Sequence, residues 1–134
     1  MSGKVVGTVG YAAGHRGTGV AYLRAFTASG EQLARVPFKV TRPPAGGNAA
    51  GYAAMLAVLR ALRSWGVRRV DLTVEDRGLV DELCGRGDVA PDMVLPHVRV
   101  RCALNAFDAA SVTLGAESDL TQRARAEAAL SDAA

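Results

Sequence analysis

GGNAAGYAAMLAVLRALRSWG, residues 46 to 66, opens as a glycine loop and continues as an apolar-striped helix. Met55, Leu56, Leu59 and Leu62 recur at helical spacing with Trp65 nearby, while Arg60 and Arg63 lie off the stripe. Gly66 is placed to end the helix, and Asn48 suits its N-cap. Gly51 is the discordant residue. In the first turn of a helix it costs on the order of 1 kcal/mol relative to alanine.

Ahead of this helix the pattern changes to strands. Residues 4 to 10, 18 to 26 and 31 to 40 read as three strands joined by short turns, an antiparallel meander. Gly14, Gly17 and Gly19 surround His15 and Arg16 in the first turn. Pro37 interrupts hydrogen bonding in the third strand, which suits a sheet edge. After the helix, Val70, Leu72 and Val74 alternate in a fourth strand over 68 to 75. A short helix over 77 to 84 and a helical region over 93 to 107 follow, the latter expected to be broken or kinked by Pro96. Residues 110 to 115 are a fifth strand. Ser118 or Asp119, with Gln122, can cap a last helix running to about Leu130.

The chain has 134 residues, 49% of them hydrophobic, which suits one domain with a single core. Its longest uncharged apolar run is too short to span a bilayer, so no membrane association is expected. The start, MSGKVVGTVG, lacks a signal peptide's basic head and long apolar middle, which makes cytoplasmic localisation the expectation. Cys84 and Cys102 have neither partners nor histidines at metal spacing and are expected to be small buried hydrophobes. Charge is unevenly placed. Residues 1 to 70 hold ten Lys or Arg against Glu31 alone, and residues 71 to 134 hold six Arg against twelve acids. A basic half can attract nucleic acid, and oppositely charged halves can attract one another head to tail in an oligomer.

The order β-β-β-α-β-α-(α)-β-α, with several local patterns, resembles the ribonuclease H superfamily, in particular its short bacterial ribonuclease HI-like branch. Gly14, Gly17 and Gly19 keep the spacing of that family's glycine turn, and Gly7 falls where its opening glycine belongs. Asn48, Ala50, Tyr52, Ala54 and Met55 match the motif that opens its central helix. EDRGLVDEL, from Glu75 to Leu83, occupies the place of its post-strand motif, and DLTQRARA loosely matches its last helix. The resemblance implies a single α/β domain over 1–134, built on a five-stranded mixed sheet flanked by helices.

It also implies a chemistry to look for. Family enzymes cut the RNA strand of RNA–DNA hybrids with two magnesium ions, which need several converging carboxylate oxygens. Carried across by motif, the first carboxylate position falls on Val6, or on Gly7 if the turn is one residue shorter. The second falls on Gly51, the third on Glu75 with Asp76 beside it, and the fourth near Arg123. Three of the four acids are missing by this alignment, and Glu75 with Asp76 is at most a weak metal remnant.

The expectation is therefore a catalytically inactive relative, not an enzyme, with no magnesium or other cofactor. Arg16, Arg42, Asn48, Arg77 and Arg123 are expected to form a basic nucleic-acid-binding face at the former active site. There Asn48 would donate to a ribose hydroxyl, capping being its commoner role. The alternative is a protein-interaction or dimerisation module on the same fold. A residual metal-dependent nuclease is the reading least expected. Gly51→Glu is expected to stabilise the helix modestly through propensity.

Overall fold

The computed structural model describes residues 3–40, 48–116 and 119–133. Three strands come first: β1 (Lys4–Ala13), β2 (Thr18–Thr27) and β3 (Gly30–Lys39). They are followed by α1 (Ala49–Ser64), β4 (Arg69–Val74), α2 (Arg77–Leu83), a single 3-10 turn over Pro91–Met93, α3 (Val94–Asn105), β5 (Ala109–Leu114) and α4 (Asp119–Ala133). The strands form one mixed sheet in the order β3-β2-β1-β4-β5. The β1–β2 and β2–β3 pairs are antiparallel. The β1–β4 and β4–β5 pairs are parallel, so each needs a crossover, supplied by α1 and by α2 with α3.

Alternation along the strands separates the two faces of the sheet. Val5 and Val9 of β1, Leu23 of β2 and Leu72 of β4 point into the main core, where α1 buries Tyr52, Met55, Val58, Leu59 and Leu62. Full burial of one such side chain is worth roughly 1.5–3 kcal/mol. Three of them outweigh the propensity cost of Gly51 several times over, so the helix forms in spite of it. On the opposite face, Leu120 and Ala124 of α4 pack on Val20 and Tyr22.

Several local expectations change. Pro96 does not break α3, because it lies in the first turn, where its missing N–H has no intrahelical acceptor to lose. Cys84 and Cys102 are exposed rather than buried. Cys84 ends α2 with its thiol donating to the Val112 carbonyl at 3.4 Å, and Cys102 lies on the outward side of α3. Asn48 makes no side-chain cap to α1. Arg42 and Ser118 lie outside the described residues; Asp119, the first residue of α4, is paired with Arg24. Pro37 sits in β3, an edge strand, as expected.

The uneven charge finds its counterpart within the chain. Lys4 pairs with Asp71, Arg24 with Asp119, Arg35 with Glu127 and Arg68 with Asp108. Each joins a cation of the first half to an acid of the second. These pairs are exposed and individually weak. No helix among the described residues is long and apolar enough to cross a membrane.

Candidate nucleic-acid interface

Topology collects the motifs at one end of the sheet. β1 and β4 run parallel with Val9 opposite Val74, so both finish at the same edge. The glycine turn after β1, Asn48 before α1, and Glu75 to Arg77 after β4 all lie there. Gly10 lets α4 join them. A Cβ on Gly10 would stand 2.5 Å from the Thr121 nitrogen and 2.7 Å from the Leu120 carbonyl carbon. The backbone of α4 therefore touches β1 directly. Val9, Gly10, Tyr11, Glu75, Asp76, Thr121 and Arg125 line a cleft of about 130 Å³ at this junction.

Two carboxylates stand in the cleft, each engaged. Asp76 is extended at the start of α2, where its Oδ1 accepts from the Leu79 N–H at 3.2 Å. Its Oδ2 accepts from the Tyr11 hydroxyl at 2.6 Å. Burial first, and then the neighbouring Asp76, push the Tyr11 phenol well above its ordinary range. Glu75 accepts from the Thr121 hydroxyl at 2.7 Å, and Thr121 is itself buried.

The same geometry explains Gly51. A Cβ there would lie 2.7 Å from the Tyr11 hydroxyl and 3.0 Å from a Leu79 methyl. The phenol occupies the space a side chain at 51 would need, and its bond to Asp76 keeps it there. Gly51→Glu is therefore expected to destabilise rather than stabilise, because the hydrogen-bonded phenol has to be displaced. Gly51→Ala should destabilise the fold by about 1–2 kcal/mol despite the better helix former. Tyr11→Phe in that background removes the clashing oxygen and should recover part of the loss. Additive effects in a denaturant double-mutant cycle would overturn this coupling.

On the other side of Asn48, α1, α2 and α3 meet in a second polar cluster. Tyr52, 1% exposed, donates to Glu82 Oε1 at 2.5 Å, and Asn48 Nδ2 donates to Glu82 Oε2. His97 Nδ1 lies 3.2 Å from the Tyr52 hydroxyl, with the rings edge to face. Burial and the Glu82 carboxylate raise the Tyr52 phenol above its ordinary range.

The positions carried across from the family shift accordingly. Val6 is exposed on the face away from the main core and pairs with Asp71; Gly7 packs against Leu23 and Leu72. They lie two and three residues short of the stretch of β1 that lines the cleft, roughly 7–10 Å along the strand. That stretch is Val9, Gly10 and Tyr11. Asp76 stands in the cleft together with Glu75. Arg123 is directed elsewhere, its guanidinium 5.5 Å above the Tyr22 ring, and Thr121 is the α4 residue that meets Glu75. Among the nucleic-acid candidates, Arg16 and Arg77 are exposed at this end and Asn48 is half-buried. Tyr11, Thr121, Arg125 and Glu82 were not legible as site residues. Tyr11 carries a faint signal, since period-two alternation from Val9 points it to the same side.

Magnesium binding requires several converging oxygens. Among the described residues no three His, Cys, Asp or Glu side chains are grouped to hold a metal ion. Tyr11 and Thr121 already hydrogen-bond to the two carboxylates at the cleft. The donor set in this arrangement does not fit a two-metal centre.

No protein-family model matches the sequence, and no curated protein matches it. Solved structures do. Ribonuclease H1 of the halophilic archaeon Halobacterium salinarum is 26% identical, with a TM-score of 0.75 over 96% of this chain and 98% of that one. The N-terminal ribonuclease H domain of a Mycobacterium tuberculosis protein is 20% identical, with a TM-score of 0.72 over 96% and 98%. LC11 ribonuclease H1, solved in complex with an RNA/DNA hybrid, is 13% identical, with a TM-score of 0.72 over 97% and 99%; at these last two identities the likeness is one of fold. The expectation that the chain is not an enzyme is overturned by these matches. They are ribonuclease H structures superposing over nearly its whole length.

Proposed function

The chain belongs to the ribonuclease H superfamily, and we propose that it binds RNA–DNA hybrid duplexes across the sheet end where β1, β4, α1 and α4 meet. The observation that carries this reading is that Arg16, Asn48 and Arg77 all lie at one end of the sheet, in the segments that follow β1, precede α1 and follow β4. Exposed guanidiniums make charge-assisted bonds to phosphate, and such contacts position a duplex without reading its sequence. A half-buried amide beside them suits the shallow minor groove of an A-like helix, where ribose hydroxyls are displayed. That LC11 ribonuclease H1 holds a hybrid on the same fold supports the choice of ligand. Binding of this kind rests on arginine and amide contacts and does not depend on magnesium.

Fluorescence anisotropy with hybrid, DNA duplex and RNA duplex, each with magnesium and with EDTA, tests it. Hybrid is expected to bind most tightly in both conditions, with affinity falling linearly on a log–log salt plot. Arg16→Ala and Arg77→Ala should each flatten that slope by about one. Absence of hybrid binding at low salt, or binding abolished by EDTA, would overturn the proposal. Following strand integrity on denaturing gels in the same samples reads cleavage separately.

A further inference from the structure

Glu82 lies on α2, outside the cleft, and holds two side chains four residues apart, those of Asn48 just before α1 and Tyr52 within it. Its Oε1 accepts from the Tyr52 hydroxyl and its Oε2 from Asn48 Nδ2. A carboxylate offers only acceptors, so the Asn48 atom facing it must be the amide nitrogen. The Tyr52 hydroxyl has one hydrogen, already given to Glu82, so His97 Nδ1 is the donor in the contact between His97 and Tyr52. A directed chain results, from His97 to Tyr52 to Glu82, with Asn48 donating to Glu82 from the other side. Its members come from α1, α2 and α3, which restrains Glu82 as well as Asn48.

The orientation of the Asn48 amide follows. With one Nδ2 hydrogen committed to Glu82, the orientation of the amide is set and its oxygen Oδ1 is left as an acceptor at the head of α1. One N–H of the amide remains to donate, as the sequence-based expectation has it, and the oxygen adds an acceptor beside it. An acceptor at this place favours a ligand group that donates, and a ribose 2′-hydroxyl donates whereas deoxyribose carries no such group.

We propose that Glu82 is a positioning residue that fixes the Asn48 amide with its oxygen presented to the RNA strand of a bound hybrid. The RNA-strand part rests on the hybrid-binding reading; the orientation of the amide does not. Glu82→Gln tests both while nearly preserving shape. Its amide oxygen still accepts from Tyr52, but its nitrogen now faces Asn48 and forces that amide to turn, presenting nitrogen instead. Adding Asn48→Asp restores an acceptor toward position 82 and an oxygen outward, with the same net charge as the wild type.

Two readouts separate the parts. In proton–nitrogen NMR spectra, the Asn48 side-chain amide protons should be strongly split in the wild type by the charge-assisted bond, and the splitting should collapse in E82Q. An unchanged Asn48 amide signal in E82Q would overturn the positioning role whether or not nucleic acid binds. In anisotropy, the preference for hybrid over DNA duplex should fall roughly three- to tenfold in E82Q and return in N48D/E82Q. A preference unchanged in E82Q, or not rescued in the double variant, would overturn the RNA-strand assignment. If the wild type binds no hybrid, the RNA-strand assignment falls with the hybrid reading, and the NMR result still decides the orientation.

Discussion

Gly10→Ala is expected to lower stability by about 3 kcal/mol, at the upper end of overpacking costs, and the melting temperature by roughly 10 °C. A Cβ at position 10 meets the backbone nitrogen of Thr121 at 2.5 Å, with the Leu120 carbonyl carbon at 2.7 Å and the Leu120 Cβ at 2.8 Å. Backbone atoms of a helix cannot turn aside as a side chain can. Relief requires moving the first turn of α4, and that turn anchors Leu120 and Ala124 against Val20 and Tyr22. Displacement would also part Thr121 from Glu75. Gly7→Ala is the control. Its closest approach, 2.7 Å, is to the end of the Leu23 side chain, with the Arg24 carbonyl oxygen at 3.2 Å, so it should cost less. Thermal unfolding followed by circular dichroism reads both variants. Equal losses, or no loss at position 10, would mean that α4 does not approach β1 this closely.

Asp76→Ala should cost a similar amount, about 3 kcal/mol, through two losses. The N-cap of α2 disappears, typically about 1 kcal/mol, and the half-buried Tyr11 hydroxyl loses its acceptor, about 1–3 kcal/mol. Asp76→Asn retains an acceptor oxygen for one of the two donors and should cost roughly half as much. Tyr11→Phe introduced into Asp76→Ala should recover the second loss, because no half-buried hydroxyl then remains unpaired. Chemical denaturation of the four proteins measures the set. Failure of Tyr11→Phe to recover stability would show that the Tyr11–Asp76 bond is not a significant stabilising contact.

The same contact sets an alkaline limit. Tyr11 and Tyr52 keep their protons in the folded chain above the ordinary tyrosine range, chiefly through burial. The folded state therefore binds protons that the unfolded chain loses above about pH 10. Their contribution is fully present below that pH and declines as pH rises beyond it.

Much of the candidate site was legible in part. The helix-entry motif placed Asn48 and Gly51 at the correct end of α1, and EDRGLVDEL placed Glu75 and Asp76 at the end of β4. Assigning β1 and α4 residues failed for geometric reasons. The glycine pattern allowed β1 to slide by two or three residues, and the parallel register Val9↔Val74 settled which residues reach the cleft. On α4, Arg123 and Thr121 are two positions apart, about 200° around the helix axis. A loose motif match cannot resolve that rotation, whereas the contact at Gly10 does.

The order of elements, the core stripe of α1, the edge position of β3 and the membership of an α/β fold were determined by the sequence alone. Each depends on periodicity or turn chemistry within a short segment, where residue spacing maps directly onto geometry. Tertiary structure alone decided why residue 51 is glycine, since the cause is a phenol from β1 forty positions earlier, held by Asp76. It alone decided that Asn48 is turned by Glu82 and that the charged halves pair within one chain. These facts arise from register, helix rotation and close approach between distant segments, which no local pattern of residues encodes.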